Sequence, residues 1–222
     1  MINIAAPVID SEERRAVDEV IESGMLAQGP KVAELEESWA KYCGTKHALA
    51  VNSGTAAIHC ALYAAGVKEG DEVITTPYSF IATINPILML GARPVLVDID
   101  EETFNIDVSK IEAAITEKTK AIVPVDLYGQ PCDWAELQEI AKKHDLKIIE
   151  DACQAIGAEY KGIKAGALGD FGCFSLYATK NIMCGEGGIV TTNSDEASAA
   201  IRSFRQHGMV APYEYADLGY NY

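Results

Sequence analysis

The chain has 222 residues, 49% of them hydrophobic and 23% charged, with 18 Lys+Arg against 33 Asp+Glu for a net charge of −15. That composition excludes disorder and is enough for a sizeable core. So acidic a chain is also poorly suited to gripping nucleic acid or an anionic membrane over a wide surface, since both demand a basic face.

Six cysteines lie scattered without a C-x-x-C pair, which reads as reduced thiols in a cytoplasmic protein rather than a disulfide framework or a zinc site. The N-terminus has no basic stretch leading into an apolar one, so no signal peptide is expected. The longest apolar run, 81–90, is interrupted by Asn85 and Pro86 and is too short to span a bilayer.

Along the chain, Ser11 reads as the cap of a first helix that closes at Gly24, and Pro30 starts a second, with Val32, Leu35, Trp39 and Tyr42 at helical spacing before Gly44. Strands are expected near 47–51, 72–75, 94–97, 121–125 and 146–149. Helices are expected at 55–65, after Asp107, and from Asp133 to about Lys143. Beyond residue 155 the pattern loosens into glycine-rich turns, with short strands at 171–175 and 188–192 and a helix at 195–206. Strands alternating with helices predict an α/β fold with a mostly parallel sheet between two helical layers.

Ligands of such sheets bind at the carboxyl ends of the strands. Three segments fall there. Asn52-Ser53-Gly54-Thr55 joins a strand to a helix and reads either as a plain helix cap or as a phosphate seat. Glu150-Asp151 ends a buried strand, where a carboxylate needs a cation or a strong donor, unless both acids simply face solvent. Lys180 follows the strand-end Ser175 and precedes the glycine-rich Gly185-Glu186-Gly187-Gly188. A lone lysine is ordinarily a solvated surface group. Together, a phosphate seat, an acid for a ring nitrogen and an amine for a Schiff base are the set that pyridoxal phosphate requires.

The same segments, with Ala27-Gln28-Gly29-Pro30, Gly70-Asp71-Glu72-Val73, Gly91-Ala92-Arg93-Pro94 and Leu127-Tyr128-Gly129-Gln130, carry a resemblance. The chain resembles the DegT/DnrJ/EryC1/StrS sugar aminotransferases, within the aspartate aminotransferase fold of pyridoxal phosphate enzymes. The resemblance implies that Lys180 bonds the cofactor, that Asp151 binds its pyridine nitrogen, that Gln154 lies by its phenolic oxygen and that Phe80 stacks on its ring. Gly54, Thr55 and Ser175 are implied as phosphate contacts, and Asn221 as one made in a neighbouring subunit. It further implies an amino-acid donor, glutamate, a nucleotide-linked keto-deoxysugar acceptor and a homodimer with sites at the interface.

On the same basis residues 1–30 form an N-terminal arm and helix and 31–222 a cofactor-binding large domain, and the family's small C-terminal domain lies outside these residues. Pro86 departs from the pattern by interrupting the helix expected after Phe80. Competing expectations are a regulatory or inactive member of the fold, a sugar dehydratase, which carries histidine at the lysine position, and a cysteine desulfurase, which needs a mobile late cysteine.

Overall fold

The structure is a computed structural model and describes residues 5–222. Helix α1 (Ser11–Ser23) is capped by Asp10, one residue earlier than expected. The Asp10 carboxylate accepts the Glu12 N–H at 2.8 Å while Glu13 accepts the Asp10 N–H at 2.9 Å. This reciprocal capping box, closed by Glu13, places Ser11 inside the first turn. No residue of α1 is buried. Helix α2 (Pro30–Cys43) starts on proline, where a missing N–H costs nothing, and ends at Gly44 in the left-handed region.

The chain continues through β1 (His47–Val51), α3 (Gly54–Ala64), β2 (Glu72–Thr75), α4 (Asn85–Met89), β3 (Arg93–Leu96), α5 (Ile111–Ala114) and β4 (Thr119–Val123). Then follow α6 (Trp134–His144), β5 (Lys147–Asp151), the hairpin of β6 (Glu159–Tyr160) and β7 (Ile163–Lys164), β8 (Phe171–Ser175) and β9 (Gly188–Thr192). Helix α7 (Asp195–Phe204) and a last hairpin, β10 (Met209–Ala211) with β11 (Glu214–Tyr215), complete it. A single tight turn at Ile81–Thr83 stands where a longer helix was expected. Pro86 then sits in the first turn of α4, so it starts that helix instead of kinking one.

The main sheet has the order β1-β9-β8-β5-β4-β2-β3. Strands β8, β5, β4, β2 and β3 run parallel, and β9 is antiparallel to both its neighbours. The exception has a local cause. A parallel return needs a crossover element, and residues 176–187 between β8 and β9 contain no helix or strand, so β9 has to come back antiparallel.

Alternation along the strands sorts side chains to two faces. Val73, Ala121, Val123, Ile149 and Val190 pack with α3 and with Ile201 and Phe204 of α7. Their neighbours Ile74, Ile122 and Ile148 pack against Ile111 and against Trp134 and Leu137 of α6. Trp39 and Cys43 of α2 extend that second layer over Phe174 and Ile189. The result is the expected three-layer sandwich. Helix α3 is buried over most of its length, in keeping with its nearly uninterrupted apolar sequence.

Candidate active site

A cleft of about 450 Å³ opens at the carboxyl ends of β5 and β8, beside the N-terminus of α3. Gly54, Thr55, Phe80, Asp151, Gln154, Ser175 and Lys180 all line it.

Its floor begins with α3. Ser53 caps the helix by accepting the Ala56 N–H at 3.1 Å, which leaves the Gly54 and Thr55 N–H groups without a protein acceptor among the described residues. Two free donors at the positive end of a helix dipole form an anion seat. Glycine is required here by proximity: a Cβ on Gly54 would lie 2.8 Å from the Ser175 Cβ and 3.1 Å from the Cys153 Sγ. Ser175 is itself buried, its Oγ accepting the Tyr177 N–H at 3.3 Å.

Strand alternation divides the two acids. Asp151 faces the cleft, 4% exposed, and Glu150 faces the opposite layer. Glu150 accepts the backbone N–H groups of Gly166 at 2.6 Å and Leu168 at 3.2 Å, and burial, with nearby Asp126, pushes its carboxyl well above the usual range. Burial likewise raises Asp126 to about 6, although its Oδ1 accepts from the Cys132 N–H and the Trp134 indole.

Asp151 is held by hydroxyl and amide donors. Thr83 Oγ1 donates to its Oδ2 at 2.7 Å, the Cys153 N–H to its Oδ1 at 3.2 Å, and Ser79 Oγ lies 2.8 Å from Thr83 Oγ1. Its backbone is fixed too, since its N–H donates to the Pro124 carbonyl and its own carbonyl accepts from Asp126. Nothing in the local sequence marks Ser79 or Thr83, which reach Asp151 only through the tertiary fold.

Lys180 rides on the loop 176–187, which is pinned to itself by Leu176 N–H to the Gly187 carbonyl at 2.8 Å and Ala178 N–H to the Gly185 carbonyl at 3.0 Å. Among the described residues it is the only lysine or arginine lining the cleft. Burial, reinforced by the Asp151 charge, raises the Cys153 thiol well above its ordinary value, so no thiolate competes with the amine there.

Gln154 Oε1 accepts the Tyr128 N–H at 3.1 Å, which orients the amide and leaves its Nε2 as the donor end. Tyr128 makes this contact from the left-handed region, φ 55°. Phe80 stands on the rim, 71% exposed. Asn221 does not line the cleft. Its carbonyl accepts from Asn52 Nδ2 at 3.1 Å, and its neighbours Tyr220 and Tyr222 pack edge-on to His59.

This sheet, with its site at the strand ends beside α3, is that of the aspartate aminotransferase fold. Within that class, the chain belongs to the DegT/DnrJ/EryC1/StrS aminotransferase family, which matches residues 7–222. It is 47% identical to GDP-perosamine synthase of Caulobacter vibrioides, over 100% of this chain and 60% of that protein. Among solved structures it resembles Helicobacter pylori PseC, an aminotransferase of pseudoaminic acid biosynthesis (TM-score 0.93, 37% identity, 99% of this chain and 61% of that one). It also resembles Bacillus subtilis NtdA with bound cofactor PMP (TM-score 0.90, 35% identity, 100% of this chain and 53% of that one). The chain thus spans between half and two thirds of the length of these relatives. Among the described residues no helix is long and apolar enough to cross a membrane.

Proposed function

We propose that this chain is the cofactor-binding part of a pyridoxal 5'-phosphate-dependent aminotransferase. It transfers the amino group of an amino acid, glutamate in our reading, to a nucleotide-linked keto-deoxysugar. One observation carries the proposal: the Lys180 amine, the Asp151 carboxylate and the free N–H pair of α3 converge on a single cleft. The bound PMP of NtdA and the sugar chemistry in the relatives' names support it.

The residues fit the cofactor, because a flat ring with one phosphate arm matches an anion seat at one side of the cleft and a buried anionic oxygen at another. When bound, the cofactor supplies an electron sink in its protonated ring. Gly54, Thr55 and Ser175 hold the phosphate. Asp151 keeps the proton on the ring nitrogen, as an adjacent carboxylate favours a charged partner. Gln154 would offer its Nε2 to the phenolic oxygen, and Phe80, on the rim, would be the side chain available to cover the ring. Lys180 bonds the cofactor at rest. When freed from that bond, its Nζ would be the group placed to hold and move the proton that amino transfer requires.

In this reading residues 31–222 form the cofactor-binding domain and 1–30 an arm, consistent with an α1 that buries nothing. The protein is a cytoplasmic homodimer with sites at the interface, and Asn221 serves the neighbouring subunit. Support comes from six unpaired cysteines, the exposed rim residues Phe80 and Tyr128, and an Asn221 that stays out of its own cleft.

Borohydride treatment of the cofactor-loaded protein should leave the label on Lys180. A Lys180→Ala protein that still aminated a keto-sugar nucleotide would defeat the proposal.

A further inference from the structure

A carboxylate on a strand end is held in plane only by what bonds its two oxygens, because the torsion that rotates the group is broad and roughly two-fold. At Asp151 each oxygen has one donor. The Cys153 N–H reaches Oδ1 at 3.2 Å, and the shorter bond, 2.7 Å, comes from the Thr83 hydroxyl to Oδ2. Thr83 is 1% exposed, so no water replaces that donor.

The direction of the chain is also determined. An ionised carboxylate only accepts, so the one Thr83 hydroxyl proton goes to Asp151. Ser79 Oγ, 2.8 Å behind it, must then donate to Thr83. Ser79 and Thr83 also flank Phe80, so the hydroxyls that orient Asp151 fasten the backbone that presents the rim aromatic.

We infer that Thr83, itself fixed by Ser79, is a positioning residue that aims the free edge of the Asp151 carboxylate at the cofactor's ring nitrogen. The inference rests on the function proposed above. It goes beyond it by making ring protonation depend on two hydroxyls in a turn some seventy residues away in sequence.

The test compares Thr83→Val, Thr83→Ser and Ser79→Ala in the intact protein loaded with pyridoxal phosphate. It follows the NMR signal of an isotope-labelled ring nitrogen, cofactor affinity, and kcat against KM for the amino donor. In Thr83→Val the anion seat is untouched and cofactor affinity stays close to wild type. Its ring-nitrogen signal moves toward the unprotonated form, and kcat falls about tenfold or more with KM little changed, as expected for loss of a hydrogen bond to a charged group. Thr83→Ser, which keeps the hydroxyl, restores both readouts, and Ser79→Ala lies between.

A wild-type ring-nitrogen signal in Thr83→Val overturns the inference, and so does a Thr83→Ser as impaired as the valine variant, which would show that the methyl group's packing matters instead. If Thr83→Val does not fold, an unchanged ring-nitrogen signal in Ser79→Ala overturns it equally. Failure of the wild-type protein to bind the cofactor strikes the proposed function itself, a result separate from any of these.

Discussion

Gly54 and Ser175 meet with no room for a methyl group between them, since a Cβ on the glycine would lie 2.8 Å from the serine Cβ. The contact joins the anion seat at the start of α3 to the strand that leads into the Lys180 loop. Gly54→Ala must therefore push α3 off β8. Overpacking of this kind costs about 1–3 kcal/mol. Because the displaced atoms are the phosphate donors proposed above, cofactor affinity should fall about tenfold or more. Calorimetric titration with pyridoxal phosphate checks this, and wild-type affinity in Gly54→Ala would show that α3 is not the seat.

The buried acids behind the site predict an unusual pH profile. Asp126 holds its proton up to about 6 in the folded chain, against an ordinary 3.8, because burial penalises its charge. Between those values the native state binds more protons than the unfolded state, so this group's contribution to stability declines as pH rises from about 4 through 6, and the full penalty persists above. Glu150 is displaced in the same direction. Asp126→Asn keeps an oxygen for the Cys132 and Trp134 donors while removing the charge. It should gain roughly 1 kcal/mol or more over wild type at pH 8 and little at pH 4. Urea unfolding at the two pH values measures the difference, and an equal effect at both would refute the assignment.

Two arginines share Glu36 with very different burial. Arg205, 5% exposed, donates from Nη1 to Glu36 Oε1 and to the Ala50 carbonyl, both at 2.6 Å, whereas Arg202 reaches Glu36 Oε2 at 3.3 Å from a half-exposed position. Arg205→Ala leaves Glu36 only the half-exposed Arg202 and the Ala50 N–H and should cost about 3 kcal/mol, while Arg202→Ala should cost about 1 kcal/mol or less. Since Glu36 also accepts the Ala50 N–H, loss of Arg205 should loosen β1 and, through it, the Asn52-Ser53 turn. Hydrogen exchange across 47–53 alongside thermal melts would show both effects.

Much of this architecture is written in local pattern. The alternation in Ala121-Ile122-Val123 and Ile148-Ile149 is what sends side chains to opposite layers, and short range suffices to reveal it. Gly54, Asp151 and Lys180 can be expected to share a cleft because such sheets gather the residues that follow their strands at one edge, and the structure places all three there. What stays hidden depends on distance through the fold. Glu150 and Asp151 are equivalent as adjacent acids until the sheet assigns each a face. Thr83 looks like any turn threonine until it meets a residue 68 positions away. The antiparallel course of β9 leaves no mark in β9 itself, being a consequence of the missing helix before it. Even the first cap went to Asp10 over Ser11 through a side-chain competition that residue preference alone does not decide, since both types cap well.

The antiparallel return of β9 also ties the Lys180 loop across the sheet. Its partners are β8, close in sequence, and β1, where His47 pairs with Thr192. Pairing across so long an interval closes slowly. The strand that ends the Lys180 loop is thus held on one side by its neighbour in sequence and on the other by the first strand of the sheet, so a change that loosens β1 reaches the lysine loop through a single intervening strand.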